Sequence, residues 1–187
     1  MRDEEAFVPT EMRGTLTKYL VASYYRYVWA LDVLYKDHPD PLVVIDAACG
    51  RGYGTHILST LSQTVYAVDR SAVHLDWARR NYQFLCPVAF REYDLEVGLP
   101  EGAWGAVVSF ETLEHLHEPS RLVASAQKLS GPFVFSVPLE APSRFHPQSF
   151  TRDDVAALVP GAELFPQRED GRIGMEPAAY LLGCWRP

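Results

Sequence analysis

The sequence has 187 residues, of which 48% are hydrophobic and 22% charged, and its formal net charge at pH 7 is −7. That length suits one domain of ordinary size, and the composition excludes disordered, collagen-like and coiled-coil chains. The acidic balance argues against binding of long nucleic acids, and no apolar run approaches the ~18–20 residues that insert across a membrane. Cys49, Cys86 and Cys184 are far apart and follow no disulfide or CxxC pattern, so we expect a cytoplasmic protein.

Helical and strand-like segments alternate along the chain. Apolar residues recur at steps of three and four from about residue 11 to 36, which predicts one long amphipathic helix, or two with a break, ending at the proline-rich stretch 38–41. The predicted strands are 42–45, 64–68, 88–93, 104–109, 132–137, 163–168 and 178–185, and the predicted helices between them are 53–61, 71–85, 119–129 and 151–158.

This alternation implies an α/β fold with a mainly parallel sheet covered on both faces. The turn signal Asp170-Gly171 lies between the last two predicted strands, and a terminal hairpin would add one antiparallel strand at the sheet edge. We therefore expect a single domain over residues 1–187, with an N-terminal helical extension or lid over 1–40 and a core over 41–187.

The most informative segment joins the first strand to the helix behind it. It reads Val43-Val-Ile-Asp46-Ala-Ala-Cys-Gly50-Arg-Gly52-Tyr-Gly54, and its glycines let the backbone pass close to a ligand at the carboxyl edge of the sheet. Asp46 can accept from a cationic amine but would repel a pyrophosphate, and the G-x-G-x-G spacing differs from the G-x-G-x-x-G of dinucleotide sites. For the glycines alone, a plain tight turn remains the alternative.

The next three predicted strands also end in ligand-type residues. Asp69 stands 19 residues after Gly50, where a carboxylate can take both hydroxyls of a ribose. Asp94 follows the third strand, where its side chain can hold an adenine amino group with apolar contact from Leu95. The fourth strand ends in Ser109-Phe-Glu111, and parallel strands bring such ends to one edge of the sheet. The pattern predicts one nucleotide-type site.

These segments resemble the motifs of class I S-adenosylmethionine-dependent methyltransferases, and the resemblance covers essentially the whole chain. The run 45–52 is similar to their first motif, with Ala48 where the commonest version has glycine, and Ala67-Val-Asp69 and Asp94-Leu95 are similar to the second and third. The resemblance implies a Rossmann-like, doubly wound sheet of seven strands, mostly parallel with the last strand antiparallel, and S-adenosyl-L-methionine as cofactor. The cofactor-binding residues that we expect are Asp46, Ala47, Gly50, Gly52, Asp69, Arg70, Asp94, Leu95 and Phe110.

Four further residues are expected near the cofactor. Arg70 either lies over the adenine or is an exposed loop residue, and Tyr27 is a candidate to close over the cofactor from the first helix. Trp29 is a second such candidate, but for Trp29 we expect the alternative, which is packing of that helix onto the sheet. Cys49 lies in the glycine turn, and we interpret it as a buried packing residue and not as a nucleophile.

A narrower resemblance concerns the acceptor. The segments 5–9, 48–54 and 109–115 are similar to small methyltransferases of bacterial sugar and cell-surface glycan pathways, although those relatives usually carry Arg where this chain has Ala6. We therefore expect methyl transfer to a small acceptor, first a hydroxyl of a sugar or related metabolite. The alternatives are a phenol or quinone precursor, an RNA end, or a non-catalytic cofactor-binding module. The glycine spacing and Asp94 disfavour a nicotinamide-dependent oxidoreductase.

Glu111, Glu114, His115 and His146 form the candidate acceptor-side site. If a helix starts near Glu111, the first three share one helical face, and His146 follows the fifth strand in a loop that can reach them. The Glu-x-x-Glu-His pattern with a later His resembles the metal centre of small-RNA 2′-O-methyltransferases and of ubiquinone-pathway O-methyltransferases, which implies a divalent ion such as Mg²⁺, Mn²⁺, Fe²⁺ or Zn²⁺. The alternative is a metal-free site in which His115 is the general base. We expect His117 at the surface.

Overall fold

The computed structural model describes residues 10–37, 42–82, 84, 87–140 and 146–187, and within the first helix the side chains of residues 20–36. Ala6, the proline-rich stretch 38–41, Cys86 and the last predicted residue of the 71–85 helix lie outside this range.

Seven strands and five α-helices alternate along the described residues. The helices are α1 Thr10–Asp37, α2 Tyr53–Leu58, α3 Ala72–Tyr82, α4 Pro119–Ala126 and α5 Arg152–Leu158. The strands are β1 Val43–Ala47, β2 Thr64–Asp69, β3 Val88–Glu92, β4 Ala106–Phe110, β5 Phe133–Pro138, β6 Glu163–Gln167 and β7 Tyr180–Trp185. Each predicted element is therefore present, and α1 is a single helix. Helix α2 ends early because the hydroxyls of Ser59 and Thr60 bond back to its last carbonyls.

The strands form one sheet in the order β3-β2-β1-β4-β5-β7-β6, in which β7 runs in the direction opposite to the six other described strands. The predicted seven-stranded, mostly parallel sheet with an antiparallel last strand is confirmed. The expected place of that strand at the sheet edge was wrong, because β7 lies between β5 and β6. The reason is hydrophobic: Leu181 and Leu182 of β7 are fully buried, whereas β6 is half exposed. Strand β6 also carries Pro166, which has no N–H to give to a second neighbour and suits an edge.

The order reverses at β1 and β4, so the helices that follow these two strands leave toward opposite sides of the sheet. Such a reversal opens a crevice at the carboxyl ends of the strands. Helix α1 closes one face of the sheet with Ala30, Val33 and Leu34, which pack against buried residues of β1 and β4. Trp29 contacts the ring of Phe165 at a centroid distance of 5.5 Å, which confirms the predicted packing role. No helix in the described part of the chain has the length and apolar character to span a bilayer.

Candidate functional site

A cavity of about 440 Å³ opens at the carboxyl ends of the first four strands. Its walls include seven of the residues singled out from the sequence: Gly50, Asp69, Arg70, Asp94, Leu95, Glu111 and His115. They also include six others: Ala48, Ser71, His74, Tyr93, Thr112 and Leu116. The cavity therefore joins the predicted nucleotide side to the predicted acceptor side.

The three glycines after β1 have different roles. Gly50 has a φ of +54°, and no atom lies within 4 Å of where a Cβ would stand, so its backbone faces open space in the cavity. A Cβ on Gly52 would come within 2.9 Å of the Cβ of Ala78, and one on Gly54 would overlap the ring of Tyr27. Of these three glycines only Gly50 lines the cavity, whereas Gly52 and Gly54 let α3 and α1 pack against the turn. The cofactor contact expected of Gly52 stays a prediction.

The turn itself is pinned to β2. The N–H groups of Ala48 and Cys49 both donate to the carbonyl of Val68 at 2.9 Å, and Ala48 takes a φ of +70° that a side chain with a Cβ disfavours. Cys49 is buried, and burial raises the pKa of its thiol far above the ordinary range. A thiol in that state is not nucleophilic, which agrees with a packing role.

Asp46 lies beneath the turn and does not reach the cavity. It is fully buried, accepting a hydrogen bond from the Thr55 hydroxyl at 2.6 Å and another from the Tyr27 hydroxyl at 3.4 Å. Burial raises the pKa of Asp46 to about 7, against the lowering effect of these two hydrogen bonds. Asp46 therefore has no direct access to the cavity, and the structure does not support its predicted direct contact with a cationic amine.

Three other residues that were predicted to lie at the cofactor are also buried: Tyr27, Ala47 and Phe110. Tyr27 is 5% exposed and meets the ring of Phe110 edge-on at 4.9 Å, so it packs behind the turn and does not close over the cavity. The carbonyl of Ala47 accepts from the Ser109 hydroxyl at 3.0 Å. Ala47 and Phe110 are buried and are not among the residues that line the cavity, and their contact with the cofactor stays a prediction.

Asp69 is held by the backbone on both sides. The Gly50 N–H donates to Oδ2 and the Ser71 N–H donates to Oδ1, each at 2.8 Å. These two bonds fix the plane of the carboxylate, and each oxygen keeps lone-pair capacity for a ligand hydroxyl. Arg70 is exposed and contributes to the same wall.

Asp94 and Leu95 follow β3 and form another part of the cavity wall. Asp94 accepts from the Glu96 N–H at 3.1 Å and begins a single 3₁₀ turn over Leu95–Val97. Leu95 is 5% exposed and offers an apolar surface beside the Asp94 carboxylate. This wall presents one acceptor group and one apolar side chain, which suits an aromatic ligand with an amino group.

No α-helix starts near Glu111, so the condition under which Glu111, Glu114 and His115 would share a helical face is not met. Glu111 has a φ of +52°, and only a 3₁₀ turn over Leu113–His115 follows. Its N–H donates to the Ser136 carbonyl at 3.1 Å, and its carboxylate accepts from the Ser136 hydroxyl at 2.8 Å. Glu111 and Glu114 therefore do not share a helical face with His115.

Glu114, His115 and His146 nevertheless converge. One ligand-type atom from each lies within 4.8 Å of the other two, and the two imidazole rings meet edge-on at 4.8 Å. Glu114 is 2% exposed, and within the described part of the chain its Oε2 has no hydrogen-bond partner. Burial, with a smaller contribution from the Glu111 charge, raises the pKa of Glu114 to about 9. His117 lies at the surface as predicted, against Glu96.

Sequence reasoning missed Arg26, a fully buried cation on α1. Its Nη1 lies 3.1 Å from the Glu111 carboxylate, and its Nε donates to the Gln167 side chain at 2.8 Å. The sequence does indicate that Arg26 is buried, because Arg26 stands four residues from both Ala22 and Ala30 on the apolar stripe of the helix. A charged residue on such a stripe must be paired inside the fold.

Comparisons with known proteins identify a matching family model and similar chains. A family model described as "Methyltransferase domain" matches residues 45–132. A Mycobacterium tuberculosis protein described as "Probable S-adenosylmethionine-dependent methyltransferase" is 28% identical over 62% of this chain and 46% of its own length. The chain thus spans about half the length of the curated relatives it matches.

Two solved structures share the fold. Magnesium protoporphyrin IX methyltransferase from Synechocystis, with S-adenosylhomocysteine bound, has a TM-score of 0.72 at 15% identity and covers 96% of this chain and 88% of its own. An S-adenosylmethionine-dependent methyltransferase from Clostridium acetobutylicum has a TM-score of 0.72 at 12% identity and covers 93% and 95% of the two chains. At these identities the likeness shows the architecture alone.

Proposed function

We propose that this chain, which belongs to the class I S-adenosylmethionine-dependent methyltransferases, transfers the methyl group of S-adenosylmethionine to a small acceptor. The acceptor that we favour is a hydroxyl of a sugar or related metabolite. The observation that carries this proposal is the shared cavity: the backbone-held carboxylate of Asp69 lines it together with Glu111 and His115. A nucleotide-type site and a set of proton-handling groups thus face one space, where donor and acceptor can meet.

The cofactor assignments follow from the walls of the cavity. Asp69 takes the two ribose hydroxyls, since its carboxylate is already oriented. Asp94 and Leu95 hold the adenine, and Arg70 lies beside them. Gly50 gives the amino-acid end of the cofactor access to the backbone. Asp46 supports that turn from below and makes no direct contact.

In the transfer step the main task of the protein is to align the methyl donor with the acceptor. The acceptor oxygen attacks the sulfonium methyl carbon, the carbon–sulfur bond breaks, and its electron pair returns to sulfur, leaving S-adenosylhomocysteine. The acceptor proton must leave, and His115 is placed to take it because its side chain is 40% exposed and lines the cavity. Oε1 of Glu114 lies 3.9 Å from Nε2 of His115, which is an electrostatic contact and not a hydrogen bond, and Glu111 lines the cavity wall together with His115.

A second candidate mechanism uses a divalent cation at Glu114, His115 and His146. Its supporting observation is the convergence of these three side chains together with the buried, unpartnered Oε2 of Glu114 within the described residues. Metal ligands at about 2.1 Å from an ion stand about 3–3.5 Å apart, so a cluster spread over 4.8 Å must contract to bind one. Bound there, the ion would chelate neighbouring acceptor oxygens and acidify the attacked hydroxyl. Glu111, the fourth predicted ligand, lies outside this group.

Turnover experiments separate the candidates. The protein is incubated with methyl-labelled S-adenosylmethionine and panels of sugars, phenols and RNA ends, and S-adenosylhomocysteine formation is measured. We expect turnover on a hydroxylated small molecule, whereas cofactor binding without turnover across all panels favours a non-catalytic module. With an acceptor in hand, activity after exhaustive chelation separates the two mechanisms. Full turnover in chelator, together with loss in His115→Ala, supports the base, and recovery only on ion add-back supports the metal.

A further inference from the structure

Arg26 brings a buried positive charge from α1 to the end of β4. The side chain is fully buried, and its guanidinium carbon lies 4.2 Å from the centre of the Tyr180 ring. Its Nε donates to Gln167, and its Nη1 lies 3.1 Å from Oε1 of Glu111. A guanidinium removed from water needs an anionic partner, since leaving such a charge unpaired strongly destabilises the fold. Glu111 is the carboxylate that meets this need.

Glu111 is fixed through both its side chain and its backbone. The same Oε1 that faces Arg26 also accepts from the Ser136 hydroxyl, and the Glu111 N–H donates to the Ser136 carbonyl. Its left-handed φ of +52° is unfavourable for glutamate and persists only where the surroundings hold it. The pairing with Arg26 and Ser136 therefore determines where the Glu111 carboxylate stands.

The neighbouring cluster lacks this carboxylate. Glu114, His115 and His146 bring their ligand-type atoms within 4.8 Å of one another, and Glu111 is not part of that group. Two imidazoles with one carboxylate are a common donor set for transition-metal ions, and a second carboxylate would strengthen it. The Arg26 charge also opposes a dication close to Glu111, because like charges repel.

We propose that Arg26 is a positioning residue that holds Glu111 away from the Glu114–His115–His146 cluster. In a four-ligand site Glu111 would bind a divalent cation, whereas here it pairs with the Arg26 guanidinium. This inference rests on the proposed acceptor site. It makes α1 a functional part of that site, although α1 precedes the matched domain at residues 45–132. Replacing Arg26 by a neutral residue should release Glu111 to the cluster and raise the affinity for divalent cations.

The test is a titration of Mn²⁺ into chelator-treated protein, followed by calorimetry. Surroundings of a metal site change its affinity by about 10- to 100-fold, so Arg26→Gln should bind Mn²⁺ at least about tenfold more tightly than the wild type. The double variant Arg26→Gln with Glu111→Gln should lose this gain. Arg26→Lys is the matched control, because it keeps the positive charge and should stay near the wild-type affinity.

A single variant without any gain overturns the proposal, and so does a gain that persists in the double variant. If circular dichroism shows that Arg26→Gln does not fold, Arg26→Met keeps the contact with the Tyr180 ring and carries the same expectation. Anomalous scattering from wild-type crystals soaked in Mn²⁺ gives an independent readout: an ion on Glu111 contradicts the proposal, and an intact Arg26–Glu111 pair supports it. Because no readout requires methyl transfer, failure of the proposed activity is distinguishable from failure of this inference.

Discussion

Replacing Asp69 by alanine tests where the ribose binds. Both carboxylate oxygens already accept a backbone N–H at 2.8 Å, from Gly50 and Ser71, which leaves each oxygen with capacity for one ribose hydroxyl. Losing two charge-assisted hydrogen bonds to the ligand should cost about 2–3 kcal/mol of binding free energy. At 1.4 kcal/mol per tenfold, the Kd for S-adenosylmethionine should rise about 30- to 150-fold.

The assay is calorimetric titration of S-adenosylmethionine at one fixed pH and salt concentration. Asp76→Ala is the matched control, because Asp76 is an exposed carboxylate whose partner is Arg79 at 3.1 Å and it lies off the cavity wall. Loss of such a surface pair should change the Kd by no more than about twofold. Asp69→Asn keeps one acceptor oxygen without the charge and should fall between. An Asp69→Ala variant that unfolds cooperatively and binds with the wild-type Kd would refute the ribose assignment.

The remaining predictions concern Cys49, His115 and Asp46. Cys49→Ala should keep most activity, because methyl transfer needs no covalent enzyme step; complete loss with cofactor binding intact would contradict this. His115→Ala should lower kcat by about 10²- to 10⁴-fold with the cofactor Kd nearly unchanged, and a retained kcat would argue against the base. Because burial raises the pKa of Asp46 from 3.8 to about 7, the folded chain binds this proton more tightly, so its contribution to stability falls as pH rises from about 4 to 7. Denaturant unfolding across that range should show the decline reduced in Asp46→Asn, by at most ~4 kcal/mol; an unchanged slope would contradict the assignment.

The succession of elements could be predicted because each strand and helix carries its own local pattern. The position of β7 could not, since the choice between edge and interior depends on burial against β5, to which Leu181 and Leu182 contribute from a distance along the chain. Pro166 was the available local signal, because a residue without an N–H favours the outer strand.

The site was predictable in the parts that follow strand ends. Asp69 and Asp94 line the cavity because the carboxyl ends of parallel strands meet at one edge. Asp46 was misplaced because sequence does not show that Thr55 and Tyr27 would occupy its carboxylate. Glu111 contacts the Arg26 guanidinium from α1, and no local spacing predicts a contact between residues 85 positions apart.

The most direct test of the central claim is a crystal structure of the protein with S-adenosylhomocysteine bound. The ribose hydroxyls should lie within hydrogen-bond distance of the Asp69 carboxylate, with the adenine beside Asp94 and Leu95. The thioether sulfur should point toward His115. S-adenosylhomocysteine bound outside this cavity, or with its ribose away from Asp69, would contradict the account.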